Sequence, residues 1–423
     1  MKALVIGSGA REHALVRGLL ADPEVASVDA APGNPGIAAI APVHPLPGLS
    51  DGPAIAALAA EIGADLVVIG PEAPLVAGVA DTLRDAGFAV FGPSGAAAAL
   101  EGSKAFAKEV MAAADVPTAR CYVCTSGDEA RAAMEATGAP YVVKDDGLAA
   151  GKGVVVTDSL EAGLAHAQAC FDAGGRVVIE EFLEGPEVSV FCITDGETVM
   201  PLEPAQDFKR LGDNDEGPNT GGMGAYSPLT WIPDDLVDDV MTRIAQPTVD
   251  EMRRRGTPFV GVLYVGLALT AAGPRVIEFN ARFGDPETQV VLARLRTPLG
   301  RLLTAAADGS LDEQPPLVWR DDSAVTVVVA SAGYPAAPRT GDPITGLSEE
   351  SAEAYVLHAG TALNADGELV SAGGRVLSVV GLGDSVDEAR KAAYERVAQV
   401  KLTGSQHRSD IAAAVAPAAS AAD

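Results

Sequence analysis

Aromatic residues and positive charges are both scarce in this 423-residue sequence. Phe, Trp and Tyr make up 4% of it, so Ala, Val, Leu and Gly must fill most of the core. Lys and Arg number 30 against 58 Asp and Glu, which gives a formal net charge of −28. Proteins that bind nucleic acid or anionic membranes generally carry a basic surface. The charge therefore argues against a binder of either kind and favours a highly acidic, solvated surface.

Cysteine is also rare, and long apolar runs are missing. Four cysteines, at positions 121, 124, 170 and 192, do not make a disulfide framework in a chain of this size. Cys121 and Cys124 form a C-x-x-C pattern, but no second pair follows for zinc, and "ARCYVCT" alternates like a strand. The N-terminus turns polar too early for a signal peptide, and no apolar run reaches the ~18 residues of a membrane span. We expect structural cysteines and a cytoplasmic location.

The first hundred residues alternate between apolar strand patterns and helical patterns. "KALVIG", "SVDAAP", "DLVVIG" and "FAVFG" predict strands, and helical segments separate them. This spacing predicts a doubly wound parallel sheet over 1–103. Its ligand should lie beyond the carboxyl ends of the strands, where "GSGAR", "PGNPG" and "GPEAPL" fall.

The first of these turns is similar to a dinucleotide-binding fingerprint but breaks it, because Glu12 occupies the third glycine position. No acidic residue ends the second strand, so an NAD-dependent dehydrogenase is disfavoured. Gly7 and Gly9 still allow a tight turn into a helix N-terminus that suits a single phosphate, and Arg11 could add a charge-assisted contact. The alternative is an ordinary glycine-rich turn with a surface arginine.

The composition changes after residue 103, and the length suggests about two to four domains. We predict an α+β unit over 104–323, with a lid subdomain at about 120–192. Within it, 206–228 is a long polar, glycine-rich connection of a kind that is usually functional or disordered. A smaller α+β unit is predicted over 324–411, and a disordered low-complexity tail over 412–423.

The stretch "KDDGLAAGKGVVV", residues 144–156, is not a P-loop. From Gly147 to Gly153 it has one spacer too few, and a glycine stands where the magnesium-binding hydroxyl should be. Three glycines and a lysine between apolar segments still cost chain entropy on folding. This cost favours a functional loop at Lys144–Val156.

The stretch "VIEFNARFGDPETQ" predicts a metal site. In a strand, Glu278 and Asn280 share one face while Phe279 points into the core. A carboxylate and an amide oxygen side by side are hard ligands that suit Mg²⁺ together with nucleotide phosphates. Arg282 follows and could contact a phosphate or a carboxylate bidentately. The alternative is a solvated acidic loop, which explains the charges but not the whole pattern.

Taken together, these motifs resemble the ATP-grasp superfamily, and within it the phosphoribosylamine–glycine ligase family. The resemblance runs from residue 1 to about 412. It rests on "VIGSGAREHAL", "APGNPG", "VIGPEAPLVAG", "LEGSK", "DGLAAGKGV", "IEEFLEG", "GPNTGGMGAYSP" and "EFNARFGDPETQ". It implies an α/β and α+β multidomain fold, with a central ATP-grasp fold over 104–323 and a glycine-rich loop that closes over ATP.

The resemblance also implies roles for particular residues. The implied metal ligands, for Mg²⁺ or Mn²⁺, are Glu278 and Asn280. The residues implied to bind ATP are Lys104, Lys144, Gly151, Lys152, Gly153, Glu180, Glu181, Phe182, Leu183 and Glu187. Those implied to hold the other substrates are Gly9, Ala10, Arg11, Asn34, Pro71, Glu72, Arg282, Gly284 and Asp285. Those implied to act in catalysis are Lys144, Arg282, Asp207 and Lys209.

The implied reaction joins glycine to 5-phosphoribosylamine in purine biosynthesis, using ATP and releasing ADP and phosphate through a glycyl phosphate. The expected partners are small molecules only, with no nucleic acid and no membrane, and the expected oligomeric state is a monomer. Two other readings stay open: an ATP-grasp ligase acting on a different phosphorylated amine, and a non-catalytic nucleotide-binding regulator. The presence of both Glu278 and Asn280 favours catalysis. Ala412 stands where the family tends to glycine, and we expect no consequence of that change.

Overall fold

The computed structural model describes residues 1–148, 153–347 and 351–413. Within these ranges the chain forms four main sheets, which we name the N-terminal, lid, central and C-terminal sheets. The predicted α/β and α+β multidomain class is confirmed. No helix in the described ranges is long and apolar enough to cross a membrane.

The N-terminal sheet has four strands, and all of their pairings are parallel, as predicted. Its first strand is buried almost throughout, as expected for a parallel strand covered on both faces. In spatial order, its strands are Ser27–Pro32, Lys2–Gly7, Leu66–Ile69 and Ala89–Phe91. The helices of this region are Ala10–Leu20, Pro35–Ala38, Gly52–Ile62, Glu72–Val76, Val79–Asp85, Gly95–Gly102 and Lys104–Ala113.

The lid sheet is antiparallel and has its own small core, which includes Cys124, Val143, Cys170 and Ile179. Its strands, in spatial order, are Cys121–Cys124, Val177–Glu180, Tyr141–Asp145 and Val154–Thr157. Its helices are Gly127–Thr137 and Leu160–Asp172. All four cysteines of the chain are free thiols. Burial raises the pKa of Cys124 to about 11 and that of Cys192 to about 12, which agrees with structural roles.

The central sheet is also antiparallel. Its strands, in spatial order, are Val199–Pro201, Glu187–Asp195, Val260–Thr270 and Gly273–Asn280. The helices in this part of the chain are Leu236–Val240, Gln246–Arg254, Glu287–Arg294 and Leu299–Asp308, with a π-helical turn at Met241–Ala245 and 3₁₀ turns at Asp213–Asp215 and Leu311–Glu313. Because Glu187–Asp195 pairs here, that strand lies outside the lid sheet, although the predicted lid extended to residue 192.

The C-terminal sheet takes two short strands from the middle of the chain. Gly224–Ser227 pairs with Ser323–Ala330, and Gln206–Asp207 pairs with Gly224–Ser227. The order of the sheet is Gln206–Asp207, Gly224–Ser227, Ser323–Ala330, Arg375–Gly383 and Ala354–His358. Smaller pairs are Arg210–Gly212 with Glu216–Asn219, Ile344–Thr345 with Lys401–Leu402, and Thr361–Leu363 with Leu369–Ser371; Val386–Val397 is the helix of this region. The predicted domain divisions remain predictions.

The end of the described chain is ordered. Ile411 and Ala412 are buried at 0% and 1% exposure, so the predicted disordered tail does not begin at residue 412. Ala412 has a φ of 57°, in the left-handed region that glycine adopts at much lower cost than alanine. The substitution that we expected to be without consequence therefore carries backbone strain. Residues 414–423 lie outside the described residues.

Candidate active site

A cleft of about 900 Å³ lies where the four sheets meet, and it collects most of the residues that the sequence singled out. The predicted residues that line it are Arg11, Pro71, Glu72, Lys104, Lys144, Gly153, Glu180, Glu181, Phe182, Leu183, Glu187, Asp207, Lys209, Glu278, Asn280, Arg282 and Asp285. The predicted residues outside its lining are Gly9, Ala10, Asn34 and Gly284. Gly151 and Lys152 lie outside the described residues.

Lys144 is buried at 4% exposure and is held by two partners at the floor of the cleft. Its Nζ donates to the Ile277 carbonyl at 2.9 Å and forms an ion pair with Glu180 Oε1 at 3.1 Å. The carbonyl is available because the pairing between Val260–Thr270 and Gly273–Asn280 shifts at Gly266, leaving Ile277 opposite no partner. Such a β-bulge is a common way of re-aiming groups beside an active site.

Glu180 joins Lys144 to a second buried lysine that sequence reasoning missed. Lys108 Nζ lies 3.1 Å from Glu180 Oε2 and donates to Thr118 Oγ1 at 2.8 Å. Burial holds the pKa of Lys108 below its ordinary value. The side chain of Glu180 is thus committed to two lysines, and its contact with ATP stays a prediction. A lysine on the buried face of Lys104–Ala113 was the signal that could have pointed to Lys108.

Lys104 begins the helix beside the lid. Its Nζ donates to the Gly147 carbonyl at 2.9 Å, where the described part of the glycine loop starts. Burial lowers the pKa of Lys104, which is only partly countered by Glu278. Asp146 anchors the same segment by accepting from Ser103 Oγ and the Ala105 N–H, both at 3.0 Å. A cationic side chain thus stands at the entrance of the loop.

The segment Glu181–Leu183 forms the rim of the cleft. The Glu181 N–H donates to the Arg120 carbonyl at 3.0 Å, and its carboxylate accepts from Arg275 Nη2 at 2.7 Å. Phe182 is 47% exposed, an unusual state for a large apolar ring. The N–H of Glu181 is therefore already engaged, and the contacts of Glu181, Phe182 and Leu183 with ATP stay predictions.

Asp207, Lys209 and Glu187 form a charged group on the opposite wall. Lys209 Nζ contacts the Glu187 carboxylate. Burial raises the pKa of Asp207 to about 7, against the attraction of Lys209. Burial disfavours the charged form of Lys209, but Asp207, Glu187 and Glu278 outweigh it and raise its pKa. Asp207 therefore keeps its proton more readily than an exposed aspartate does.

Glu278 and Asn280 line the cleft together, and Phe279 between them is 3% exposed in the core, as predicted. Burial opposes ionisation of Glu278, but Lys209, Lys144 and neighbouring cations outweigh it and lower its pKa. An ionised carboxylate beside an amide oxygen is a donor set that fits Mg²⁺ or Mn²⁺. Within the described residues no group of three or more His, Cys, Asp or Glu could hold a metal ion. Phosphate oxygens or water would complete the coordination of such an ion.

Arg282 lies between carboxylates from two helices. Its Nη2 is 3.1 Å from Glu101 Oε1 and its Nε is 3.4 Å from Glu72 Oε2. Burial disfavours the guanidinium charge, but these carboxylates outweigh it and raise the pKa of Arg282. Glu101 also accepts from the Ala281 N–H at 2.7 Å, and burial raises its pKa. Sequence reasoning quoted the "LEGSK" motif but missed Glu101 itself.

The turn after the first strand is partly closed by its own carboxylate. Glu12, 2% exposed, accepts from the Gly9 N–H at 2.6 Å and from Arg11 Nε at 2.6 Å. A Cβ on Gly7 or Gly70 would come within 2.6 Å of the Glu12 side chain. The broken fingerprint therefore has a physical cause, since a carboxylate occupies the space between the glycines. Arg11 also donates to the Phe283 carbonyl at 3.0 Å and still lines the cleft.

Both polar atoms of the Asn34 side chain form hydrogen bonds within the protein. Its Nδ2 donates to the Ser8 and His358 carbonyls at 2.8 and 2.9 Å, and its Oδ1 accepts from the Ile37 N–H. It therefore ties the N-terminal sheet to the C-terminal sheet. Its predicted contact with substrate stays a prediction without support from this geometry.

Asp285 and Glu287 close the far wall. Asp285 Oδ1 accepts from Gln289 Nε2 at 2.7 Å. Glu287 Oε1 accepts from the Tyr264 hydroxyl at 2.9 Å, and Ser189 Oγ lies 2.7 Å from that hydroxyl. Gly284 packs beneath, because a Cβ there would lie 2.5 Å from Glu287 Oε2. Arg375 from the C-terminal sheet reaches the same wall and was also missed.

The cleft thus has two ends, which differ in the side chains that carry their positive charge. The lysine end consists of Lys104, Lys108, Lys144 and Lys209 with Glu180 and Glu278. The arginine end consists of Arg11, Arg282 and Arg375 with Glu72, Glu101 and Asp285. A lysine-lined end beside a carboxylate–amide pair, set between the lid and central sheets, is the arrangement of an ATP-grasp enzyme.

Comparison with known proteins identifies the family. The phosphoribosylglycinamide synthetase N domain matches residues 1–101, the ATP-grasp (A) domain matches 102–288, and the C domain matches 324–414. The chain therefore belongs to the phosphoribosylglycinamide synthetase family. Its sequence is 67% identical over 422 residues to the phosphoribosylamine–glycine ligase of Streptomyces coelicolor, covering 99% of this chain and 100% of that protein. It is 55% identical to the ligase of Mycobacterium tuberculosis, covering 97% of each chain.

Solved structures agree. A phosphoribosylamine–glycine ligase from Thermotoga maritima superposes with a TM-score of 0.84 at 35% identity, covering 97% of this chain and 100% of that one. A biotin carboxylase domain from Hydrogenobacter thermophilus, solved with MgADP and bicarbonate, reaches a TM-score of 0.73 at 16% identity, covering 96% of this chain and 91% of that one. The second likeness concerns the fold alone. The predicted family and the ATP-grasp ligase class are confirmed.

Proposed function

We propose that this chain joins glycine to 5-phosphoribosylamine, using ATP and forming glycinamide ribonucleotide, ADP and phosphate. One observation carries the proposal: a single cleft connects the lysine end to the arginine end. A nucleoside triphosphate needs the cations of the lysine end. A phosphorylated amine and an amino acid need cations and carboxylates such as those of the arginine end. The family match over nearly the whole chain supports the same substrates.

In the first step, the carboxylate of glycine attacks the γ-phosphate of ATP, and ADP leaves. Charge spreads over the transferred phosphoryl group, so catalysis is chiefly electrostatic. Lys144 is fixed by the Ile277 carbonyl and Glu180, and can neutralise that charge without reorganising. Glu278 and Asn280 would hold Mg²⁺ or Mn²⁺, which supplies further neutralisation of the phosphates.

In the second step, the amine of phosphoribosylamine attacks the carbonyl carbon of glycyl phosphate, and phosphate leaves. Arg282 lies beside Asn280 and faces the arginine end, so it can stabilise the oxyanion of the tetrahedral intermediate. No nucleophilic Ser, Cys or His is required. The glycine loop that includes Gly151 and Lys152 would exclude water and protect the acyl phosphate.

The test is ADP release by the purified protein with ATP, Mg²⁺ and glycine, with and without fresh phosphoribosylamine made from ribose 5-phosphate and ammonia. ADP formation that needs both glycine and the amine supports the proposal. Binding of ATP without ADP formation would mean that the substrate pair is wrong. Activity with another phosphorylated amine would favour the second ligase hypothesis.

We also infer that the enzyme acts in the cytoplasm as a monomer on these small molecules. Four free, largely buried thiols suit a reducing compartment. Size-exclusion chromatography with light scattering would check the oligomeric state directly.

A further inference from the structure

Among the described residues that line the cleft, Arg375 is the only one from the part of the chain after residue 323, and it bonds mainly to backbone. Its Nη1 donates to the Gly221 carbonyl and to the Asp285 carbonyl, both at 2.6 Å. Its Nη2 lies 3.4 Å from Asp285 Oδ2. One guanidinium thus holds two loops that are far apart in sequence and both border the cleft.

These two loops also pack directly on each other. Gly222 has a φ of 109°, and a Cβ there would lie 2.4 Å from Pro286 Cδ. The Gly221 N–H donates to the Tyr334 hydroxyl at 3.0 Å, a second contact from the C-terminal region. Neither loop has a regular backbone ladder at this point, so Arg375 supplies much of what fixes their separation.

The position of Asp285 depends on this contact. Its carboxylate faces the first turn of the N-terminal sheet, because a Cβ on Gly9 would lie 3.6 Å from Asp285 Oδ2. Burial opposes ionisation of Asp285, but Arg375 and Arg11 outweigh it and keep its pKa low. Asp285 is therefore an ionised acceptor at the arginine end, away from Lys144 and Lys104.

We infer that Arg375 is a positioning residue for the second step, which holds Asp285 and the Gly221–Gly222 loop where the phosphorylated amine binds. The inference rests on the proposed function. It assigns Arg375 a role in binding the amine and none in the transfer from ATP to glycine. Two assays separate these steps, because hydroxylamine can replace the amine and trap glycyl phosphate as a hydroxamate.

The experiment compares wild type with Arg375→Met and Arg375→Lys. We expect Arg375→Met to raise the KM for phosphoribosylamine at least tenfold, while the KM for ATP and the rate of hydroxamate formation change less than twofold. Added guanidinium ion should restore part of the lost affinity. Arg375→Lys keeps the charge but not the planar fork, so its KM should lie between the other two.

Arg339→Met is the matched control, since the exposed Arg339 also joins a carboxylate, that of Asp342, to a backbone carbonyl in the C-terminal region, away from the cleft. It should leave every constant within twofold of wild type. An unchanged KM for the amine, or an equal loss in both assays without rescue, would overturn the inference. If Arg375→Met does not fold, Arg375→Lys provides the test. Its KM for phosphoribosylamine is then compared with its KM for ATP and its rate of hydroxamate formation. Wild type that fails both assays would instead remove the proposed function.

Discussion

The two ends of the cleft carry positive charge in different chemical forms. The chain has 8 lysines, and four of them line the lysine end. Each is held by few partners: Lys144 by one carbonyl and one carboxylate, and Lys104 by the Gly147 carbonyl. At the arginine end, Arg282 and Arg375 each bridge several groups from separate segments.

This difference matches the demands of the two steps. A lysine ammonium is a compact point charge that can follow a moving phosphoryl group, whereas an arginine fork fixes the geometry of carboxylates and carbonyls. The lysine end can thus neutralise the transferred phosphoryl group, and the arginine end can hold the neighbouring groups in a fixed geometry. The comparison predicts that changes at the lysine end reduce kcat, and that changes at the arginine end raise KM for the amine.

The largest effect should come from Glu278→Gln, which removes the one carboxylate of the metal pair. We expect kcat to fall about a thousandfold or more with the fold intact. The variant would no longer hold the metal ion that neutralises the charge of the phosphates. ADP release and circular dichroism measure the two quantities. Glu135→Gln, on the exposed face of a lid helix, is the control. Full activity of Glu278→Gln would remove the metal assignment.

A second test separates the two lysines that share Glu180. Lys144→Met should reduce kcat by about 10²- to 10³-fold, because a preorganised charge at the phosphoryl group is lost. Lys108→Met should instead lower the free energy of unfolding by about 3 kcal/mol, since it breaks a buried ion pair. Steady-state kinetics and urea unfolding of both variants check this. Equal kinetic losses would place both lysines at the phosphates.

At the arginine end, Glu101→Gln should weaken the hold on Arg282. We expect kcat/KM for phosphoribosylamine to fall about tenfold to a hundredfold, while the KM for ATP stays constant, because one charge-assisted hydrogen bond is lost. Initial rates with each substrate varied in turn give both constants. A rise in the KM for ATP alone would contradict the division between the two ends.

Beneath the arginine end, His13 links the N-terminal and C-terminal sheets by accepting the His358 N–H at 2.9 Å. Burial, with His358 and Arg17 nearby, lowers the pKa of His13 from 6.5 to about 3. Below pH 6.5 the histidine is protonated in the unfolded chain but stays neutral in the folded chain. The free energy of unfolding therefore decreases as the pH is lowered. Between pH 6.5 and pH 5.0 the free energy of unfolding falls by about 1.6 kcal/mol for this reason. Urea unfolding of His13→Asn should show that much less dependence on pH than wild type.

The smallest effect concerns neither end and serves as a baseline. Ala412→Gly should raise the free energy of unfolding by up to about 1 kcal/mol, because the left-handed backbone at a φ of 57° is easier for glycine. Thermal unfolding measures the gain, and kcat and both KM values should stay the same. A loss of stability would mean that the added chain entropy of glycine outweighs the relief of strain.

Local patterns predicted much of this molecule. Alternation placed Glu278 and Asn280 on one face with Phe279 in the core, and strand–helix spacing predicted the parallel sheet. Glu101 and Arg375 were missed because their partners lie far along the chain, and no spacing rule relates them. The bulge at Ile277 was missed because it arises from pairing with Gly266, which is a property of two strands together.

The C-terminal sheet combines strands from the middle of the chain with strands near its end, and this has a consequence for synthesis on the ribosome. Tyr226 pairs with Val325, so a strand made early waits for about a hundred further residues to be translated. Asp207, on the neighbouring short strand, reaches its place in the cleft through the same sheet. A nascent chain that lacks its last quarter therefore lacks the strand on which this part of the cleft wall is built. We therefore expect a nascent chain to consume no ATP until Ser323–Ala330 has been translated.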